Sequence, residues 1–135
     1  MNDIIIKTVL DFYSDVEGIY LFGTYGTEDA RPDSDVDIAL LLSPTRAKEI
    51  RNIAISDCRD ALEGELRREI DLINLRQVST VFQFQIITTG QLIHTGSERA
   101  VQEFEMLTFS FYQKLNEERH SILESFYQTK RAYPV

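Results

Sequence analysis

Cysteine is nearly absent: Cys58 is the only one in 135 residues, so no intrachain disulfide can form. The fold must rest on its apolar core. A domain of this length buries roughly two-thirds of the surface its unfolded chain exposes, and its hydrophobic share of 43% is ordinary for a globular protein. A lone thiol agrees with a reducing compartment. Cys58 lies in a helical pattern with no histidine near it in sequence, and it reads as a structural thiol. No apolar run approaches the ~18 residues needed to span a bilayer. Residues 1–11 lack the basic start and the small-residue cleavage site of a secretory signal. A soluble, cytoplasmic chain of one domain, residues 1–135, is expected. Basic runs are missing too. None is longer than Arg67-Arg68, and the net charge is −8. Non-specific nucleic-acid binding depends on cationic surface, so nucleic acid is not expected as the main partner; an acidic chain suits a basic protein surface.

Several familiar sites are missing as well. There is no G-x-x-x-x-G-K-[ST] and no G-x-G-x-x-G, which excludes the P-loop and the dinucleotide fingerprint. His94 and His120 have no ligand spacing to each other or to Cys58. Asp33, Asp35 and Asp37 begin like a calcium loop. Ile38 then occupies the position that needs glycine for the sharp turn, and Pro44 the position of the bidentate glutamate.

The stretch from Leu21 to Leu42 carries the chemistry. Ile19-Tyr20-Leu21-Phe22 is a short β-branched and aromatic run between Gly18 and Gly23, a buried strand. A polar loop follows, then Ser34-Asp35-Val36-Asp37 and the apolar run Ile38-Ala39-Leu40-Leu41-Leu42, a strand covered on both faces. Side chains two apart on a strand share a face. Asp35 and Asp37 therefore aim at one point, and paired carboxylates suit a hard divalent cation such as Mg²⁺. Asp37 at the mouth of a buried strand is costly unless something neutralises it. Residues 69–75 alternate polar and apolar, a third strand with Asp71, Ile73 and Leu75 on one face. Asp71 joins the other two carboxylates if the strands are neighbours. Gly23-Thr24 follows a strand, a junction at which backbone N–H groups can hold phosphate oxygens.

Helical periodicity accounts for most of the remainder. Ile5, Ile6, Val9, Leu10 and Tyr13 form the stripe of a first helix capped at Asn2 or Asp3. Residues 45–68 read as one long helix with Ile50, Ile53, Ala54, Ala61, Leu62 and Leu66 inward. Residues 79–88 read as a helix ended by Gly90, followed by a short strand over 91–94. A last helix spans 97–127. Its apolar residues, Phe109 and Tyr112 among them, exceed one stripe. The excess implies either a helix wrapping its own core or a contact with another chain.

Gly23-Thr24, Ser34-Asp35-Val36-Asp37 with its apolar strand, and Asp71 on a later strand together resemble the signature of the polymerase-beta-like nucleotidyltransferases. The length and downstream layout resemble the minimal members, in particular the MntA-type antitoxins paired with HEPN-domain ribonuclease toxins. The resemblance implies an α/β (α+β) fold, a small mixed sheet with flanking helices and a long C-terminal helix. It implies ATP as substrate and Mg²⁺ as cofactor. It further implies attack of a hydroxyl on the α-phosphorus, release of pyrophosphate, and AMP placed on a tyrosine of the partner toxin. By the same resemblance Asp35, Asp37 and Asp71 are catalytic metal ligands, Asp71 also activating the hydroxyl, and Gly23, Thr24 and Ser34 bind the triphosphate. Thr24 stands where serine is usual, and Glu28 where the family has a second glycine. Two other functions fit the same residues: an antitoxin acting by contact alone, and a transferase for small molecules such as aminoglycosides. The latter usually adds a helical domain for which this chain has little room.

Overall fold

The period-two pattern of the central strand sorts the core into two layers. In the computed structural model, which describes residues 1–23, 35–50, 52–54 and 56–132 and side chains as far as residue 128, helix α1 (Asn2–Phe12) leads into β1 (Gly18–Phe22) and β2 (Val36–Leu41). Two short helices follow, α2 (Pro44–Glu49) and α3 (Asp57–Leu66), then β3 (Ile70–Asn74), which runs into a single 3₁₀ turn, Leu75–Gln77. Helix α4 (Thr80–Thr89), β4 (Gln91–Thr95) and the long α5 (Glu98–Ala132) complete the order. The four strands form one mixed sheet in the order β3-β2-β1-β4. β1 runs antiparallel to both β2 and β4, and β2 runs parallel to β3.

Ile19, Leu21, Ile38, Leu40, Ile70 and Leu72 project to one face, where Ile5 and Val9 of α1 and Cys58 and Leu62 of α3 cover them. Tyr20, Ala39 and Leu41 project to the other, under Ile86 of α4 and Val101 and Phe104 of α5. Burial on both faces is what the unbroken apolar run of β2 requires. The Tyr20 hydroxyl donates to Glu105 Oε1 at 2.8 Å, tying α5 to the sheet. Burial, then the adjoining carboxylate, raises its phenol well above the ordinary tyrosine value.

One expectation fails. Residues 45–68 are two helices, not one. The carbonyls of Ala47 and Ile50, which a continuing helix would use, accept from the buried amide of Asn74, each at 3.0 Å. The chain then restarts at Ser56, whose Oγ accepts from Arg59 N–H at 3.3 Å and whose hydroxyl donates to Ile53 O at 2.7 Å, a side-chain N-cap. The helix expected over 79–88 is present, capped by Ser79 Oγ on Phe82 N–H.

Cys58 is 1% exposed, and burial pushes its thiol up to about 11. Only thiolate reacts with disulfide reagents. The native chain should therefore stay unmodified by a chromogenic disulfide at pH 8 for as long as it remains folded, and titrate one thiol at once in denaturant. Rapid labelling of the native chain would mean that α3 does not pack as described.

Along α5 the two expected roles divide by length. Val101, Phe104 and Thr108 are buried against the sheet. Phe84 of α4 stacks on Tyr112 at 3.7 Å between ring centroids and meets Phe109 edge-on at 5.4 Å. Beyond Leu115 every residue through 128 is exposed, including Ile122, Leu123, Phe126 and Tyr127. The inner half packs one face on its own core and leaves Met106, Leu107, Phe109 and Phe111 exposed on the other; the outer half carries exposed apolar residues and packs on no other element. Among the described residues no helix is long and apolar enough to cross a membrane.

Candidate active site

The parallel pairing of β2 with β3 places Asp37 directly opposite Asp71. Opposed residues of paired strands share a face, so the two carboxylates stand side by side on the α4–α5 face, at the end where both strands begin. Asp35 lies one residue before β2 and is exposed. Asp71 and Asp37 thus share a face of the sheet, as the alternation in sequence required of them. The field between them is repulsive. Burial, then Asp71, then Asp35 raise the Asp37 carboxyl above the usual carboxylate range, as desolvation and like charge must.

Antiparallel pairing puts Phe22 opposite Asp37, and β1 ends there in Gly23. Gly23 has φ +79°, and a Cβ built on it would stand 2.1 Å from Asp37 Oδ2. The residue is glycine for two reasons at once: the left-handed backbone and the carboxylate lying against its Cα. Gly23, Asp35, Asp37 and Asp71 are thus brought to one end of the sheet. Thr24, Glu28 and Ser34 lie outside the described residues, as does every residue from 24 to 34. Among the described residues no three His, Cys, Asp or Glu side chains meet at metal-ligand spacing.

Beside the carboxylates, on the outer flank of β3, lies a cavity of about 290 Å³ lined by Asp35, Ala54, Arg59, Glu69, Ile70 and Asp71. Arg59 and Glu69 were not singled out in sequence. The available signal for Arg59 was its spacing of four from Glu63 on a helix, which in sequence is ordinary surface. Two other arginines, Arg76 and Arg99, have structural partners. Arg76 donates to Leu42 O and to Glu17 Oε1, with its guanidinium over Phe104, and Arg99 pairs with Glu103. His120 pairs with Glu124 on the exposed face of α5.

Residues 5–99, from α1 through β4 to the start of α5, match the family described as polymerase beta, nucleotidyltransferase. The chain belongs to this family. It is 35% identical over 120 residues to the protein adenylyltransferase MntA of Shewanella oneidensis strain MR-1, covering 89% of this chain and 83% of that protein. Its fold is similar to a chain in the crystal structure of a toxin–antitoxin with AMP-PNP, with TM-score 0.76, 33% identity, and 93% and 97% of the two chains covered. A second similar structure is the tri-AMPylated HEPN toxin of Shewanella oneidensis in complex with its MNT antitoxin, with TM-score 0.66, 29% identity, and 93% and 94% covered.

Proposed function

We infer that the chain is an antitoxin that transfers AMP from ATP to a hydroxyl, a tyrosine by analogy with the resemblance, of a HEPN-domain toxin and silences it. The observation that carries this reading is the in-register opposition of Asp37 and Asp71 beside a left-handed glycine whose Cα lies against the Asp37 carboxylate. The relative's description as a protein adenylyltransferase supports it, as do the complexes of similar chains with AMP-PNP and with an AMPylated toxin.

The carboxylates fit a hard divalent cation such as Mg²⁺. They are oxygen donors, and their mutual repulsion at Asp37 is the kind an ion between them relieves. Asp35, Asp37 and Asp71 would hold it. When bound, the ion neutralises phosphate charge and makes the incoming hydroxyl easier to deprotonate. The chain's own residues orient the reactants. The N–H groups after β1, at Gly23 and Thr24, together with Ser34, receive the triphosphate. Asp71, on the exposed edge strand, meets the acceptor hydroxyl and draws off its proton as the new P–O bond forms and the bond to pyrophosphate breaks. Catalysis of this kind rests on positioning and charge.

The test is incubation of the chain and the toxin with Mg²⁺ and ATP labelled on the α-phosphate. The expected result is label on the toxin and loss of its nuclease activity only when ATP is present. Silencing without ATP and without label would overturn transfer in favour of neutralisation by contact; label on a small molecule but not on the toxin would overturn the protein acceptor.

A further inference from the structure

β3 lies at the edge of the sheet, so one row of its peptide groups has no neighbouring strand to bond. Val36 N–H donates to Glu69 O across the β2–β3 seam at 2.9 Å. Peptide directions alternate along a strand, so the N–H and C=O of the next residue, Ile70, face the open edge. Both are occupied, and by one helix. Glu63 Oε1 accepts from Ile70 N–H at 3.3 Å, and Arg59 Nε donates to Ile70 O at 3.0 Å. The two side chains also pair with each other, Nη2 to Oε1 at 2.8 Å, one helical turn apart on α3. The bracketed residue immediately precedes Asp71, and its peptide carries Asp71's own nitrogen. The pair is about one-third exposed on each side, and an ion pair so placed adds little to stability in itself. Its geometry is specific nonetheless: a donor and an acceptor four apart on a helix, matched to the acceptor and donor of a single residue, on the two peptide units that flank its Cα.

We propose that Arg59 and Glu63 are positioning residues, bracketing the Ile70 peptide so that Asp71 is held level with Asp37. The proposal rests on the reading of Asp71 given above. An edge strand secured only by β2 can shift along its free side, and any such shift moves Asp71 against Asp37. Fixing the neighbouring peptide from outside removes that freedom while leaving the Asp71 carboxylate exposed to its reactants.

The experiment compares Arg59→Ala and Glu63→Ala with Ser56→Ala in the full chain. Ser56→Ala removes the N-cap of α3 and destabilises the same helix but leaves both partners of Ile70 in place. The expected result is a kcat for AMP transfer lowered by about ten- to a hundredfold in the two bracket variants, with KM for ATP changed by less than about twofold. The dissociation constant of Mn²⁺ in the presence of a non-hydrolysable ATP analogue, followed by electron paramagnetic resonance, should rise about tenfold, the usual cost of losing a group that orients a metal ligand. The Ile70 amide should exchange with solvent faster in Glu63→Ala. Glu63→Gln, whose side-chain oxygen still accepts from Ile70 N–H, should recover most of the rate. Ser56→Ala should lower the melting temperature while kcat at 25 °C and Mn²⁺ affinity hold. The proposal is overturned if wild type transfers and binds Mn²⁺ while the bracket variants match Ser56→Ala in both, or if Glu63→Gln is as poor as Glu63→Ala. A wild-type chain that neither transfers nor binds Mn²⁺ would instead overturn the proposed function, and the bracket's role with it.

Discussion

Asp37→Asn should lower AMP transfer by about a thousandfold, the scale of losing one metal ligand and several kcal/mol of transition-state stabilisation. The same substitution should make the metal-free protein more stable at neutral pH. Burial and the two neighbouring aspartates hold the Asp37 carboxyl above its ordinary range, so folding favours the protonated form. A group raised in the folded state contributes stability that is fully present below its unfolded value, about 3.9, and lost as pH rises through the raised folded value. Once ionised, the wild-type carboxylate is repelled by its neighbours; asparagine is neutral at every pH and removes the repulsion. Two thermal scans at pH 7 check this. Without Mg²⁺ the variant should melt above wild type. With Mg²⁺ and an ATP analogue wild type should gain in melting temperature, by linkage between binding and folding, and the variant should gain little. Near-normal transfer by Asp37→Asn would remove Asp37 from the metal site, and an unchanged or lower melting point without metal would contradict the electrostatic account of the carboxylate cluster.

Gly23→Ala should be damaging in both respects. A residue with a side chain in the left-handed region costs roughly 1–2 kcal/mol, and here the added carbon would stand 2.1 Å from Asp37 Oδ2. Either the carboxylate swings out or the end of β1 moves. Each displaces a reacting group by an ångström or more, which costs about a hundredfold in rate. Urea unfolding and labelled-ATP transfer should fall together. Gly64→Ala is the matched control. Gly64 lies in α3 with nothing within 4 Å of its missing Cβ, and alanine is the better helix former by about 1 kcal/mol. Its midpoint should rise and its transfer rate stay level. A Gly23→Ala chain with full activity would mean that the glycine serves only the turn.

The aspartates were legible because strand periodicity is a local signal. The apolar run that Asp37 opens, and an alternating run around Asp71, were enough to state which way each of these two side chains faces. Which residue of β3 would stand opposite Asp37 was not readable. Register between parallel strands is fixed by packing of α3 and by the α1 layer, through contacts far apart in the chain. The division of residues 45–68 was hidden for a similar reason. Asn52 and Ser56 are residues that favour caps, but the apolar stripe continues across them. What stops α2 is the amide of Asn74 on the far side of α3, 27 residues beyond Ala47. The role of Arg59 and Glu63 was equally out of reach, since a pair of opposite charges four apart on a helix is ordinary surface until a strand edge is known to lie beside it. The excess of apolar residues in α5 was visible in sequence. Only the structure shows that the exposed part of it runs along both halves of the helix, from Met106, Leu107, Phe109 and Phe111 to Ile122, Leu123, Phe126 and Tyr127.

That outer half of α5 has a thermodynamic consequence. A helical segment that packs on no other element draws no tertiary stabilisation and rests on propagation from the packed inner half. Any protein that seats Ile122, Leu123, Phe126 and Tyr127 must first offset the entropy of ordering the backbone that carries them. Association through this arm would show a large negative heat-capacity change with an unfavourable entropy, and would bind more weakly than its contact area suggests.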